Sequence, residues 1–167
     1  LNLKIKFRES FRPFAPSILL EDLKNWFKIE CASPYMLFVA EINDKVKIKV
    51  QDYQKEIFGI EKLKIKRSKI PAVTHVDNSA RVQTVDENTN RKYFELLKKF
   101  KEKTGCPILI NTSFNVRGEP IVNSPEDAFN CFMGTNLDKL VIGNCYLDKK
   151  KQDKKLFQNY KNKYELD

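Results

Sequence analysis

The pattern of hydrophobic and polar residues predicts strands and a helix along the first third of the chain. Residues 2–7 alternate between apolar and polar, mostly basic, side chains, which is the period of a half-buried strand. Residues 18–27 carry apolar side chains at helical spacing behind Ser17, whose hydroxyl suits a helix N-cap. Residues 35–42 are apolar almost throughout and predict a central strand, and residues 43–50 predict a hairpin that returns from it.

The middle of the chain predicts a surface excursion followed by strands and a second helix. Residues 52–69 combine a high density of charge with a weak hydrophobic pattern, as in an insertion at the surface. Residues 71–85 place polar side chains among β-branched ones, which predicts two strands joined by a tight turn at Asp77 and Asn78. Residues 90–103 form an amphipathic pattern that predicts a helix ending at a glycine.

The last part of the chain predicts one more helix and one more strand. Ser124 and the residues that follow it give a helix start with a proline and two acids in the first turn. Residues 140–147 predict a strand, and the tail at residues 149–167 predicts a marginal helix that needs a partner. Without an internal repeat or a linker, we expect one mixed α/β domain of the α+β type at residues 1–148, followed by the basic tail.

A polar cluster after the apolar run at residues 107–110 is the first candidate site. Asn111, Thr112, Ser113 and Asn115 follow that run directly, so a predicted strand delivers four short hydrogen-bonding side chains at its end. In open α/β sheets ligands tend to sit beyond the carboxyl ends of strands. The alternative interpretation is a solvated turn.

Three cations near the start of the chain form the second candidate site. Lys6, Arg8 and Arg12 lie within seven residues and are followed by Pro13, next to aromatic side chains that can pin a loop to a core. A stiff setting matters because a preorganised cation loses little side-chain entropy when an anion binds. We prefer an anion site here to the alternative of exposed charges beside a turn.

Composition and charge restrict the chemistry. The 167 residues suit one domain, and 31 basic against 22 acidic residues give a net charge of +9, which favours anionic partners. Part of this charge lies in runs at residues 62–69 and 149–163, which are more often solvated faces or tails. His75 is the single histidine, so a histidine-based zinc site and most histidine-assisted triads are excluded.

The sequence also supports expectations about the location of the protein and about its length. No apolar run is long enough to span a bilayer and no signal peptide is visible, so we expect a cytoplasmic protein without a membrane partner. Because the first residue is a leucine, we expect the chain to be part of a longer protein.

Three motifs, taken in order, resemble one known family. They are the cationic segment at residues 6–17, the segment at residues 71–85, and the Asn-Thr-Ser-Phe-Asn segment that begins at Asn111 and continues to residue 122. Together they are similar to the C-terminal domain of the O-carbamoyltransferases, a family of nodulation proteins and antibiotic-tailoring enzymes. The resemblance covers about residues 2–147. Departures lie at Ser10, where the family usually has proline, and at Asn78, where it often has glycine.

The resemblance implies a fold and an activity. The fold would be YrdC/Sua5-like, a twisted mixed sheet with flanking helices around a positively charged nucleotide cleft. The domain would convert carbamoyl phosphate and ATP, with Mg²⁺, to carbamoyl adenylate. The carbamoyl group would then pass to a hydroxyl acceptor in a separate N-terminal Kae1-like domain with a histidine and aspartate metal site. This chain lacks that pattern, so we expect it to be the activating half.

The resemblance also implies residue roles. Lys6 and Arg12 would bind the phosphates and carbamoyl phosphate, and Arg81 would hold the acyl phosphate or adenylate. Asn111 and Ser113 would hydrogen-bond the carbamoyl or phosphoryl oxygens. Further binding residues are expected at three positions: Arg8, His75 and Thr112. No residue is assigned to a metal. Phosphoryl and acyl-phosphate transfers need charge neutralisation and positioning more than a protein nucleophile, so such a site can work without histidine or cysteine.

Two other functions are compatible with the basic composition. The first is a YrdC-like nucleotide-binding or RNA-binding module without carbamoyl chemistry, which we rank lower because few aromatic residues lie among the basic runs. The second is a catalytically idle fragment that only docks on a partner. Such a fragment would expose an apolar face and self-associate.

Overall fold

The computed structural model describes residues 1–160 and 163–164, with residues 53 and 55 described by their backbone alone. The chain divides into two units. The first unit combines Leu1–Arg12 with Ser113–Asp167, and the second unit is Pro13–Thr112. The predicted boundary at residue 148 stays a prediction, and residues 161–162 and 165–167 of the predicted basic tail lie outside the described residues.

A four-stranded mixed sheet organises the second unit. The strands stand in the order β2-β3-β1-β4, with β1 and β3 parallel and the other neighbours antiparallel. Their bounds are Ala15–Leu19 for β1, Phe38–Glu41 for β2, Ser79–Val85 for β3 and Ile108–Asn111 for β4. A mixed sheet with helices confirms the predicted α+β class.

Both faces of this sheet are packed. One face carries the larger core cluster, in which Ile18, Val82 and Phe27 are among the most deeply buried side chains. The opposite face packs Leu19 against the fully buried Leu97 of a long helix. Alternate residues of β1 therefore belong to different clusters, as the period of a strand requires.

Three helices accompany the sheet in this unit. They are α1 at Leu23–Trp26, α2 at Asp52–Lys55 and α3 at Arg91–Thr104. The side chain of Asn90 caps α3 by accepting from the amide of Tyr93, and Gly105 ends it with a left-handed φ of 74°. The predicted α3 is confirmed because both of its ends carry local signals.

The first unit is built from short elements. It contains α4 at Pro125–Gly134 and the antiparallel pair β5 at Lys139–Ile142 and β6 at Cys145–Asp148. Ser124 caps α4 in a capping box, as predicted. The core of this unit includes Phe132 and Met133 of α4. No described helix has both the length and the apolar character to cross a membrane.

The predicted strand at residues 2–7 is wrong. This segment is a π-helix, Asn2–Lys6, whose buried members are the polar Asn2 and Lys6, while Leu3 is 69% exposed. The turn places these two polar side chains on one side, where Asn2 Nδ2 donates to the carbonyl of Arg12 at 2.7 Å. Hydrogen bonding of buried polar groups, rather than apolar alternation, decides the local structure.

The predicted helix at residues 18–27 is also wrong over its first part. Ser17 lies in β1, fully buried, and its hydroxyl donates to Gln83 Oε1 at 2.6 Å instead of capping a helix. A 3₁₀ turn, Leu20–Asp22, separates the strand from the short α1. Pairing of β1 with a strand on each side outweighs its local helical pattern.

The apolar segment at residues 35–42 forms a strand, but not a central one. Its strand β2 lies at the edge of the sheet, with Phe38 and Val39 46% and 60% exposed. The expected hairpin at residues 43–50 is absent from the described residues, because Asp44–Val46 is a 3₁₀ turn and Lys47 bridges to Ser68 instead.

Turns explain the remaining differences. The turn at Asp77 and Asn78 is confirmed, with Asn78 at a left-handed φ of 64°, but it is preceded by the 3₁₀ helix Pro71–Val73 rather than a strand. The expected strand at residues 140–147 is the β5–β6 hairpin, which turns at Gly143. The described part of the tail forms short 3₁₀ turns instead of one helix.

Removal of a buried side chain from β1 tests this core. Ile18→Ala is expected to lower the free energy of unfolding by about 2–5 kcal/mol, because Ile18 is fully buried between strands. Leu20→Ala, at a position 37% exposed, serves as the control and is expected to cost less than half of that. Urea unfolding followed by fluorescence of the single tryptophan, Trp26, measures both, and equal losses would contradict the assigned core.

Candidate anion-binding site

Lys6 is the centre of the candidate site in the first unit. It ends the π-helix with only 4% of its surface exposed. Its Nζ donates to the carbonyl of Ser113 at 2.6 Å and to Asn115 Oδ1 at 2.7 Å, and a longer contact of 3.3 Å reaches Ser113 Oγ. The structure therefore brings together two segments that are more than 100 residues apart in sequence, Lys6 and the loop that starts at Ser113.

Burial changes the acid–base behaviour of this lysine. Desolvation, assisted by the nearby Arg8, lowers the pKa of Lys6 from 10.5 to about 8. Cys131 and Glu119 act in the opposite direction and do not offset the effect. The ammonium is therefore still the main form at neutral pH, but a modest rise in pH removes its charge.

Three arginines surround Lys6 in the same unit. Arg8 Nε donates to Asn2 Oδ1 at 2.8 Å, which ties this side chain to the π-helix. Arg12 and Arg117 both contact the Glu9 carboxylate, at 2.8 Å and 3.0 Å. The backbone amide of Glu9, together with these two arginines, lowers the pKa of the Glu9 carboxyl, so this acid remains ionised between them.

These cations line one cavity of about 440 Å³. This volume is within the range of small-ligand sites. The polar side chains around it include four cations and two neutral hydrogen-bonding groups: Lys6, Arg8, Arg12, Arg117, Ser113 and Asn115. Four cations against the single lining carboxylate of Glu119 make the cavity electropositive.

The loop at residues 113–120 is held by its own hydrogen bonds. Ser113 Oγ donates to Asn115 Oδ1 at 2.7 Å, and Asn115 Nδ2 donates to the carbonyl of Glu119 at 2.8 Å. The Glu119 carboxylate accepts from the amide of Val116 at 2.8 Å. Gly118 adopts a φ of 76°, which favours glycine. The loop is thus preorganised around Lys6.

The second unit presents a separate polar group on one face of its sheet. Arg81 is exposed on β3, and Gln83 follows it on the same face. Gln83 Oε1 accepts from Asn111 Nδ2 at 2.6 Å and from Ser17 Oγ, so Gln83 links three strands. Arg81 and Asn111 therefore share a face of this sheet, as the strand period predicts for Arg81 and Gln83.

The other two predicted binding residues also lie in the second unit. His75 belongs to the turn before β3, where its Nδ1 lies 3.0 Å from Ser79 Oγ. Ser79 in turn donates its hydroxyl and its amide to Asp77, which lowers the pKa of the Asp77 carboxyl. Thr112 is exposed at the end of this unit. The ligand roles of His75 and Thr112 stay predictions.

Several residues around the candidate sites were missed by the sequence analysis. Arg117 and Glu119 lie shortly after Asn115, on either side of Gly118, so their position within the third motif was the available signal. Glu9 lies between the predicted cations Arg8 and Arg12, but its pairing with Arg117 depends on a contact 108 residues away. No local pattern reveals a contact of that range.

Comparison with known proteins shows similarity to carbamoyltransferases and to nodulation proteins. A family model described as the carbamoyltransferase C-terminus matches residues 1–149. The uncharacterized protein sll1178 of Synechocystis sp. is 52% identical over 168 residues, covering 100% of this chain and 27% of that protein. The nodulation protein NolNO of Sinorhizobium fredii is 42% identical over 154 residues, covering 90% of this chain and 20% of that protein.

One of the similar proteins has a name that states its reaction. The 3'-hydroxymethylcephem-O-carbamoyltransferase of Amycolatopsis lactamdurans is 32% identical over 143 residues, covering 86% of this chain and 23% of that enzyme. The chain thus spans only 20% to 27% of the length of these three relatives.

The pKa of Lys6 gives a pH-dependent test of the cavity. Sulfate affinity is expected to fall as the pH rises through about 8, because the neutral amine of Lys6 no longer attracts an anion. The pKa values of Cys131 and Tyr164, about 12, keep those groups protonated over this range. Calorimetric titration at constant ionic strength between pH 7 and about 9.5 measures the affinity.

Sulfate is chosen as the probe because its own charge is constant over this pH range. Lys6→Met is the matched variant. It is expected to bind sulfate more weakly than the wild type, and its affinity is expected not to fall near pH 8. Equal pH profiles for the wild-type chain and Lys6→Met would show that Lys6 does not contribute to anion binding.

Proposed function

Because the chain belongs to the carbamoyltransferase family, as its three motifs predicted, we propose that it carries the part of the enzyme that activates carbamoyl phosphate. In this proposal it binds carbamoyl phosphate and ATP and forms carbamoyl adenylate. The observation that carries the proposal is the cavity of the first unit, where the almost buried Lys6 lies among Arg8, Arg12 and Arg117.

The reaction balances when one water is consumed. Water cleaves the bond between the carbamoyl oxygen and the phosphorus of carbamoyl phosphate, which releases phosphate and leaves carbamate. A carbamate oxygen then bonds to the α-phosphorus of ATP, and the bond to the β-phosphate oxygen breaks with release of pyrophosphate. Apart from water, every substrate, intermediate and product of these two steps is an anion, so a cluster of fixed cations stabilises each of them.

The cations of the cavity have different tasks in this proposal. Arg12 and Arg117 present planar guanidinium groups that suit phosphate oxygens, and Glu9 holds them in place. Lys6 supplies a point charge. Its contact to Ser113 Oγ, at 3.3 Å, is the longest of its three, and we expect a phosphate oxygen to replace it. Ser113 is then released to hydrogen-bond the ligand.

The polar face of the second unit carries a further set of proposed ligand-binding residues. The exposed guanidinium of Arg81 suits an acyl phosphate or adenylate. Asn111 Nδ2 donates to Gln83 Oε1. We propose that Asn111 also hydrogen-bonds the carbamoyl or phosphoryl oxygens of the ligand, as the resemblance implies. Thr112 and His75 are proposed to contact the ligand only secondarily.

Mg²⁺ fits this proposal as part of the nucleotide complex. The two carboxylates near the cations are already engaged, Glu9 with Arg12 and Arg117, and Glu119 with the amide of Val116. Among the described residues no group of three or more His, Cys, Asp or Glu side chains is arranged to hold a metal. Mg²⁺ commonly binds substrate phosphates and water with few protein ligands, and when bound to ATP it would neutralise phosphate charge.

The acceptor belongs to the proposal as well. One relative is named for transfer to the oxygen of a hydroxymethyl group. We propose that a hydroxyl acceptor receives the carbamoyl group in a separate N-terminal Kae1-like domain, on the same or a partner chain. The chain covers about a quarter or less of its relatives, which leaves room for such a domain in those proteins.

Pyrophosphate release tests the activating reaction. The full chain, incubated with ATP, Mg²⁺ and carbamoyl phosphate, is expected to release pyrophosphate and phosphate in equal amounts. Lys6→Met and Arg12→Ala are each expected to slow this release by roughly 100-fold or more, because each removes a preorganised charge from the reacting phosphates. Arg91→Ala, at an exposed arginine of α3, is the control and keeps the wild-type rate.

Thermal melting of each variant separates loss of function from loss of fold. If a folded wild-type chain, alone and joined to its N-terminal partner, releases no pyrophosphate, the proposal is wrong. Tight, salt-dependent RNA binding that survives Arg12→Ala and Arg81→Ala would instead support the RNA-binding alternative.

A further inference from the structure

Tyr160 lies outside the part of the chain that the family model matches, yet it is buried in the first unit. The match ends at residue 149, and Tyr160 is only 3% exposed. Its ring packs in a cluster with Val116 of the site loop and Cys131 of α4. A segment beyond the matched domain therefore contributes to the core directly behind the anion cavity.

Gly134 at the end of α4 accommodates this ring. A Cβ atom on Gly134 would lie 2.1 Å from Cδ1 and 2.3 Å from Cγ of Tyr160, which is closer than any side chain tolerates. The glycine is thus required by the close approach of the ring rather than by its backbone conformation. The Tyr160 ring therefore packs directly against the backbone of Gly134, and any larger residue there would displace it.

Tyr164 extends the contact to the site loop. Its ring packs edge-on against Tyr160 with centroids 5.5 Å apart. Its hydroxyl donates to Glu119 Oε1 at 3.2 Å, while Glu119 Oε2 accepts from the amide of Val116. Burial raises the pKa of Tyr164 to about 12, so the hydroxyl keeps the proton that it donates.

The chain of contacts reaches the anion site in two steps. Glu119 holds Val116 through its carboxylate and Asn115 through its carbonyl, at 2.8 Å each. Asn115 Oδ1 in turn accepts from Lys6 Nζ at 2.7 Å. The position of Glu119 therefore sets the position of the group that orients the ammonium.

We propose that Tyr160 and Tyr164 are positioning residues for the anion cavity, acting through Glu119 on the loop at residues 113–120. This inference rests on the proposed function of that cavity. Neither tyrosine lines the cavity, so each acts by holding the loop in the conformation that receives an anion. The C-terminal segment is thereby part of the activating site and not a dispensable basic tail.

Tyr164→Phe tests this role with the smallest change. The ring stays and only the hydroxyl that meets Glu119 is removed. Sulfate affinity of the full chain is expected to fall by about three- to tenfold, the order of magnitude of one ordinary hydrogen bond, with little change in melting temperature. Tyr35→Phe, at a tyrosine 80% exposed in the second unit, is the matched control and is expected to bind like the wild type.

A double-mutant cycle separates positioning from general destabilisation. If Tyr164 acts through Glu119, Tyr164→Phe lowers sulfate affinity much less in a Glu119→Ala background than in the wild type. Additive losses, or wild-type affinity in Tyr164→Phe, would overturn the inference. Gly134→Ala is expected to weaken binding in the same way, because the added methyl displaces the Tyr160 ring.

Hydrogen exchange gives a readout that does not require ligand binding. The amide of Val116 is expected to exchange faster in Tyr164→Phe than in the wild type, because its acceptor Glu119 is held less firmly. Unchanged exchange would contradict the inference. If the wild-type chain binds no sulfate while Val116 responds as expected, the proposed function fails and the structural coupling stands.

Discussion

The structure of the candidate site depends on one buried ammonium group. Taking the charge of Lys6 out of water is unfavourable unless hydrogen bonds replace its hydration. The carbonyl of Ser113 and the side chain of Asn115 replace it, and both belong to a loop more than 100 residues later in the sequence. The π-helix at the N-terminus and the conformation of this loop are therefore mutually dependent, because either alone would leave polar groups unsatisfied. A π-helical turn is a common device at functional sites.

Two carboxylates reduce the repulsion among the cations around Lys6 but do not cancel it. Glu9 lies between Arg12 and Arg117, and the Glu119 carboxylate accepts from the amide of Val116 and the hydroxyl of Tyr164. Burial, assisted by the charge of Arg8, lowers the pKa of Lys6, and a bound anion would offset the repulsion between these two cations. An anion that binds in the cavity therefore gains from the positive potential of several fixed cations.

How much the sequence could reveal depended on the range of the interactions. The helix α3 was predictable because Asn90 and Gly105 mark its two ends locally. The cations and the hydrogen-bonding cluster were found for the same reason, since charge and polarity are visible residue by residue. The helical state of residues 2–6 was not predictable, because it depends on hydrogen bonds from Asn2 and Lys6 to distant partners. Ser17 was misplaced because its partner Gln83 lies 66 residues away.

The protonation state of Cys131 restricts the chemistry that the cavity can perform. Cys131 is fully buried, and burial together with Glu119 raises its pKa to about 12. A thiol that stays protonated is a poor nucleophile. The imidazole of His75 is tied into a turn of the second unit, at Ser79. Covalent catalysis by Cys131 therefore has no support, whereas four cations line the cavity and can neutralise and align phosphates. Phosphoryl transfer is a reaction for which charge and alignment suffice, so the residue types and the proposed activation of carbamoyl phosphate agree.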